Sequence, residues 1–138
     1  MLKIPSSLKT KADINGYSDA AQARKDAMHK DGAKFLKALA KELGLQPGQY
    51  SVRSNVAGIA VSGEVTLHAD HLYVQLQESL SGPGLHLLYR SCRNQKDYTG
   101  GQNHFIGLLT LAEDGQQRFL ETCHKLMQAA RQEAEAAQ

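Results

Sequence analysis

Hydrophobic and polar positions follow a helical period near both ends of the chain and a period of two in its middle. Over residues 18–44, apolar side chains recur three and four positions apart, Ser18 is placed as an N-cap, and Gly44 is a stop signal. This pattern predicts a first helix over residues 18–44. Asp31 and Gly32 interrupt its middle, so we expect a kink or a division there.

The middle of the chain alternates apolar with polar residues, which is typical of half-buried strands. Four segments are predicted as strands: residues 50–55, 61–68, 72–77 and 85–92. The short step at Ala69 and Asp70 predicts a tight hairpin turn between the second and third strands. Alternation along consecutive antiparallel strands predicts a sheet over residues 49–92 with one buried face and one wetter face.

The chain becomes apolar again after a polar segment at 93–104. Its apolar residues then take up helical spacing near the C-terminal end. Residues 105–112 predict a short strand or a turn of helix. Asp114 and Gln117 match a capping box, so the closing helix is predicted over residues 114–135. Its apolar stripe consists of Phe119, Leu120, Cys123, Leu126, Met127 and Ala130.

Together these elements predict one α+β domain, in which an antiparallel meander of three to five strands is flanked by an N-terminal and a C-terminal helix packed on one face. Residues 1–17 have no clear period and are predicted as an arm. A chain of 138 residues can build a core without disulfide or metal staples. Because Trp is absent and aromatic residues are few, that core should consist mainly of Leu, Val, Ile and Ala.

Cysteine usage and hydropathy point to a cytoplasmic protein. Cys92 and Cys123 do not form a Cys-x-x-Cys pair, and the first residues contain no apolar run of the length that a signal peptide needs. No stretch approaches the roughly 18 apolar residues of a membrane span. We therefore expect reduced thiols and no membrane partner.

The net charge of +2 does not name a partner, but the charge is unevenly distributed. Residues 1–42 hold nine Lys and Arg against five Asp and Glu, whereas residues 113–138 hold three against five. The first helix carries four lysines on one face: Lys30, Lys34, Lys37 and Lys41. Such a stripe can follow a phosphate backbone or an acidic protein surface, and it can equally be a solvated helix face.

The most unusual stretch is the polar segment 93–104, taken together with Arg90 just before it. Arginine offers a fork of donors that suits phosphate or carboxylate, Tyr98 could stack on a base, and Gly100-Gly101 could hold backbone N–H groups around an anion. The alternative is a surface loop held by its own hydrogen bonds. The candidate binding residues are Arg90, Arg93, Lys96, Tyr98, Asn103 and His104.

Motifs for catalysis, metals and cofactors have weaker support, and no P-loop pattern is present. His68 and His71 would face each other across the predicted hairpin, but two histidines are fewer ligands than a zinc site needs. Cys92, Asp97 and His104 could form a nucleophile, an orienting acid and a base, although a free cysteine at a strand end is usually a packing residue. We therefore expect no metal, no cofactor and no catalysis.

Three stretches carry a resemblance to known proteins: KDGAKFLKALAKELGL at 30–45, SGEVTLHADHLYVQL at 62–76, and YRSCRNQKDYTGGQNHF at 89–105. Together they resemble small proteins of unassigned activity that bacterial plasmids, integrative elements and phages encode. The resemblance implies a bacterial cytoplasm and a mobile-element setting. In that setting it favours a small non-enzymatic protein that binds DNA or a host defence complex, as anti-CRISPR proteins do.

The favoured hypothesis is a non-catalytic binding or regulatory protein that contacts nucleic acid, or a complex that handles nucleic acid, through Arg90 and residues 93–104. A first alternative is a protein-only inhibitor or assembly factor that uses the polar sheet face, namely Thr66, Tyr73, Gln75 and Gln77. A second alternative is a small Cys/His hydrolase or transferase. The sequence does not fix the oligomeric state.

Overall fold

The computed structural model describes residues 2–59, 61–80 and 82–137, and it contains a five-stranded antiparallel sheet with helices on one face. The strands lie side by side in chain order: β1 (Tyr50–Asn55), β2 (Glu64–Ala69), β3 (Tyr73–Glu78), β4 (Leu85–Arg90) and β5 (His104–Gly107). The prediction of an α+β fold, with an antiparallel meander between an N-terminal and a C-terminal helix, is confirmed.

Helix α1 (Asp19–Glu42) begins where the capping residue places it, because the Ser18 hydroxyl accepts a hydrogen bond from the N–H of Ala21 at 3.1 Å. The helix is continuous through Asp31 and Gly32, so the expected division does not occur. Gly32 is buried against the sheet, and a Cβ atom there would lie 2.6 Å from a methyl carbon of Leu76. The glycine therefore permits a close approach of α1 to the sheet and does not break the helix.

The end of α1 is closed by a left-handed glycine, as the stop signal predicted. Gly44 has a φ of 82°, and its N–H donates to the carbonyl of Lys41 at 3.0 Å. The N–H of Leu45 donates to the carbonyl of Ala40 at 2.9 Å. These two bonds form a Schellman motif, which satisfies carbonyls that would otherwise lack partners at the helix end.

The hairpin between β2 and β3 turns one residue later than predicted. Ala69 lies opposite Leu72, with the Ala69 N–H donating to the Leu72 carbonyl at 2.8 Å, so Asp70 and His71 form the turn. His68 consequently lies opposite Tyr73 and not opposite His71. The expectation that the two histidines face each other is therefore wrong. The second strand also begins at Glu64 and not at residue 61.

The closing helix begins six residues earlier than the capping box indicated. A short helix α2 (Leu108–Thr110) leads through a π-helical segment (Leu111–Gly115) into α3 (Gln116–Ala136). Asp114 therefore lies inside helical structure and caps nothing. Leu108 and Leu111 are buried, because this early part of the helix already packs on the core.

The core lies between the inner face of the sheet and the helices. Inward-facing residues of the three central strands are buried together with Phe35, Leu39 and Phe119 from the helices. The arm belongs to this core, since Leu8 and Ile14 are buried and the backbone of Leu2 exchanges two hydrogen bonds with the Gln116 side chain. None of the helices described here combines the length and apolar content that a membrane crossing requires.

Candidate functional site

The outer face of the sheet, on the side away from α1 and α3, carries the residues of greatest functional interest. Strand register aligns alternate residues in rows across the sheet. One row runs from β1 to β5 through Arg53, Thr66, Gln75, Leu88 and Phe105. A neighbouring row runs from β1 to β4 through Ser51, His68, Tyr73 and Arg90. We call this surface the outer face.

Arg90 is the centre of a cation–π cluster at one end of the outer face. Its guanidinium carbon lies 5.1 Å from the ring centre of Tyr73 and 5.1 Å from that of Tyr98, and the two rings are 5.8 Å apart. Its Nη1 donates to Oδ1 of Asn103 at 3.0 Å. Burial raises the pKa of Tyr73, and the positive charge of Arg90 partly opposes that rise. The cluster therefore presents two aromatic rings with one cation held against them.

The 93–104 loop folds on itself before it reaches this cluster. The N–H of Arg93 donates to the Thr99 carbonyl at 3.1 Å, and Asn94 and Asp97 form a small bridge. The Thr99 hydroxyl and N–H both donate to Oδ1 of Asp97, and these bonds lower the pKa of that carboxyl. Gln95 reaches the Gly48 carbonyl at 3.1 Å. These bonds stabilise the loop, and Tyr98 lies against Tyr73 on the outer face.

The two glycines of the loop serve packing and not an anion nest. The N–H of Gly101 donates to the Ser91 carbonyl at 3.3 Å, so it is already used. A Cβ atom on Gly101 would collide with the Ser91 hydroxyl, and one on Gly100 would lie 2.8 Å from the Ser91 carbonyl oxygen. Glycine is required here because the loop passes close to the backbone at the end of β4.

Of the six binding residues predicted from the sequence, three meet in one cluster: Arg90, Tyr98 and Asn103. Arg93 and Lys96 are exposed, and their side chains donate no hydrogen bond to any residue that the structure describes. His104 stacks on Tyr89 at 5.3 Å, and Tyr89 belongs to the buried face. His104 is therefore not part of the outer face.

The lysine stripe of α1 cannot join this surface. All four side chains, Lys30, Lys34, Lys37 and Lys41, are exposed as expected of a solvated helix face. Because α1 packs on the inner face of the sheet, its solvent-exposed side looks away from the outer face. A single flat partner cannot contact both surfaces at once.

A hydrogen-bonded chain runs along the outer face from Tyr73 to His86. The Tyr73 hydroxyl donates to Gln75 at 2.8 Å, Gln75 donates to Gln77, and Gln77 donates to Nε2 of His86 at 2.9 Å. His86 accepts this bond only when Nε2 carries no proton, and burial lowers the pKa of His86 accordingly. Each bond pairs a donor of one side chain with an acceptor of the next, and each glutamine amide keeps a second N–H that the chain does not use.

Sequence reasoning missed three members of the outer face: Arg53, Leu88 and Phe105. Phe105 is 50% exposed and lies 5.1 Å from the His86 ring. Leu88 alternates with the buried Leu87, so the period of two was the signal that assigned it to the opposite face. Phe105 carried no such signal, because residues 105–112 fit a strand and a helix equally well.

The geometry gives no support to a Cys92 nucleophile. Cys92 is 2% exposed, and its thiol donates to the Ala69 carbonyl at 3.4 Å. Burial raises the pKa of this thiol to about 11, so the sulfur remains protonated at neutral pH. Within residues 2–59, 61–80 and 82–137, no group of three or more potential metal ligands comes together.

Comparisons with protein-family models, with curated proteins and with solved structures found no match to this chain.

Proposed function

We propose that this protein is a non-catalytic binder of single-stranded nucleic acid, and that the outer face of the sheet is its binding surface. The observation that carries the proposal is the cluster in which the Arg90 guanidinium carbon lies 5.1 Å from the ring centres of both Tyr73 and Tyr98, at one end of the outer face. An arginine held against aromatic rings, beside further exposed rings, suits bases that stack and phosphates that need a cation.

Exposed rings are the first requirement for such a surface. Tyr98 is 56% exposed and Phe105 is 50% exposed, and both lie on the outer face. Single-stranded nucleic acid offers unpaired bases with accessible faces, whereas a duplex keeps its bases stacked. The ring faces therefore favour a single strand over a duplex.

Positive charge around these rings is the second requirement. Arg53 extends from β1 on the same face, and Arg93 and Lys96 project from the loop that carries Tyr98. Two carboxylates lie near these cations: Asp97 accepts hydrogen bonds from Thr99, and Glu64 accepts one from Asn55. Arg93 interacts electrostatically with the Asp97 carboxylate, and a phosphate group would compete with that carboxylate for the arginine. Cation–phosphate contacts of this kind weaken with salt.

Protein-only inhibition through the polar sheet face is less well supported. That alternative relies on the side chains of Tyr73, Gln75 and Gln77, which already bond to one another and to His86. A protein partner would find one N–H of each glutamine amide already used and would have to bind through the second. The resemblance to mobile-element proteins also fits a cytoplasmic protein that meets nucleic acid, and we include that location in the proposal.

The decisive experiment is fluorescence anisotropy with a labelled oligothymidylate, in which two double variants remove the same number of positive charges. Arg90→Ala with Arg93→Ala should bind at least about tenfold more weakly than the wild type, a loss of about 1.4 kcal/mol. Lys34→Ala with Lys37→Ala is the matched control, since these lysines lie on the opposite side of the molecule. We expect the control to change affinity by less than about threefold.

A salt series sharpens the result. For single strands, the slope of log K against log salt is negative, and each lost phosphate contact makes it less steep by about 0.7. The Arg90/Arg93 variant should therefore show a shallower slope than the control. A duplex of the same length should compete poorly. Equal affinities for the two double variants, or no wild-type binding at low salt, would refute the proposal.

A further inference from the structure

The free edge of β1 exposes backbone hydrogen-bonding groups whose identity follows from the register of the sheet. Because Ala69 bonds to Leu72 across the hairpin, alternate residues of β2 bond to β3 and the others bond to β1. The residues of β1 that bond to β2 are Ser51, Arg53 and Asn55. The N–H and C=O groups that point away from the sheet therefore belong to the intervening residues Tyr50, Val52 and Ser54.

This edge carries few of the devices that usually prevent strand pairing, and Arg53 is its one charged residue. β1 contains no proline, no lysine and no bulge, and its register with β2 is continuous from Tyr50 to Asn55. Residues 53–55 are exposed. Within the described chain, residues 50–55 make no backbone hydrogen bond outside the ladder with β2. β5, at the other edge, is only four residues long.

A second copy of β1 is complementary to this edge in one antiparallel register. A two-fold axis perpendicular to the sheet keeps the helices of both copies on one side and pairs residues that face the same way. Centred on Val52, it places Val52 opposite Val52 and Tyr50 opposite Ser54 of the second copy. The three residues whose backbone groups point away from the sheet edge then all bond to the second copy, and each pair exchanges two hydrogen bonds.

Charge repulsion favours the register centred on Val52 over the one centred on Arg53. In the register centred on Val52, Arg53 lies opposite Ser51 of the second copy, and no like charges meet. A shift that centred the axis on Arg53 would place two arginines opposite each other and would leave Tyr50 unpaired. Like charges directly opposite on antiparallel strands are destabilising.

We propose that this protein forms a symmetric dimer by antiparallel pairing of β1 with β1 of a second copy, centred on Val52. The five-stranded sheets join into one ten-stranded sheet with both sets of helices on the same side. The proposal does not depend on nucleic-acid binding, because it concerns a backbone edge and is tested on the protein alone.

Sedimentation velocity over a range of about 1 to 300 µM tests the proposal, since a reversible dimer dissociates on dilution. The wild type should shift from monomer to dimer within this range. Val52→Pro removes an N–H that points away from the free edge of β1 and that the ladder with β2 does not use. This variant should therefore fold and remain a monomer. Val52→Thr keeps that N–H and a similar shape, and it should still dimerise.

Charge variants at Ser51 test the register even if Val52→Pro fails to fold. The symmetric dimer contains two contacts between position 51 of one copy and Arg53 of the other. Ser51→Glu should therefore lower the dissociation constant of the dimer about threefold to tenfold. Ser51→Lys should raise it by a similar factor. High salt should reduce both effects. A wild type that stays monomeric throughout, a folded Val52→Pro that still dimerises, or equal effects of the two Ser51 variants would overturn the proposal.

Discussion

The two faces of the sheet are made from alternate residues of the same strands, yet they are stabilised in different ways. On the inner face, Leu67, Val74 and Leu87 are fully buried under the helices and the arm. On the outer face, side chains bond to one another instead, through the Arg90 cluster and the chain from Tyr73 to His86. The difference indicates that stability depends mainly on the inner face.

The largest expected effect is a difference in the free energy of unfolding between variants at two adjacent positions of β2. Leu67→Ala should lower the free energy of unfolding by about 2–5 kcal/mol, because it removes a fully buried side chain and leaves a cavity. Thr66→Ala, one position away on the outer face, should cost less than about 1 kcal/mol. Urea unfolding followed by circular dichroism measures both. Similar losses for the two variants would mean that the outer face also contributes to the core.

A smaller effect on stability, with a larger effect on binding, is expected at Tyr98. Tyr98→Ala removes one ring from Arg90 and should destabilise the fold by only about 0.5–1 kcal/mol, the usual range for an exposed cation–π contact. Its affinity for oligothymidylate should fall by about 1–3 kcal/mol, since one stacking surface is lost. Tyr98→Phe keeps the ring and is the matched control. If both variants bind like the wild type, Tyr98 is a structural residue.

The period of hydrophobic positions predicted most of this architecture, because burial acts on alternate residues in a strand and on every third or fourth residue in a helix. It could not locate the turn between β2 and β3. The prediction pairs His68 with His71, whereas the structure pairs it with Tyr73. These two registers differ by two residues, so every apolar side chain stays on the same face in both. The start of the closing helix was missed because an apolar run suits strand and helix equally.

The candidate site was predictable in part. Alternation with the buried Tyr89 assigns Arg90 to the wetter face from sequence alone. Its meeting with Tyr73 and Tyr98 depends on strand register and on how the 93–104 loop folds, and neither is encoded in a local pattern. The same folding turned the polar groups of the loop, Asp97 and Thr99 among them, into partners for one another.

The smallest expected effect concerns His86, the residue of the outer face that is buried. Burial lowers its pKa in the folded protein below the ordinary value of 6.5, and Gln77 donates to its unprotonated Nε2. The unfolded chain therefore binds a proton more readily than the folded one. The stability that neutral His86 contributes is fully present above about pH 6.5 and is lost as the pH falls through the lowered value.

His86→Gln isolates this contribution, because a glutamine oxygen can accept the bond from Gln77 and does not titrate. The difference in unfolding free energy between wild type and variant should be constant above about pH 7.5 and should move in favour of the variant as the pH falls toward about 5. Urea unfolding at several pH values measures it, and the subtraction removes the contributions that wild type and variant share. The arm residues Lys9 and Lys11 line the same cleft as His86. A difference that does not change with pH would mean that His86 has the same pKa in the folded and unfolded states, and that its burial does not destabilise the charged form.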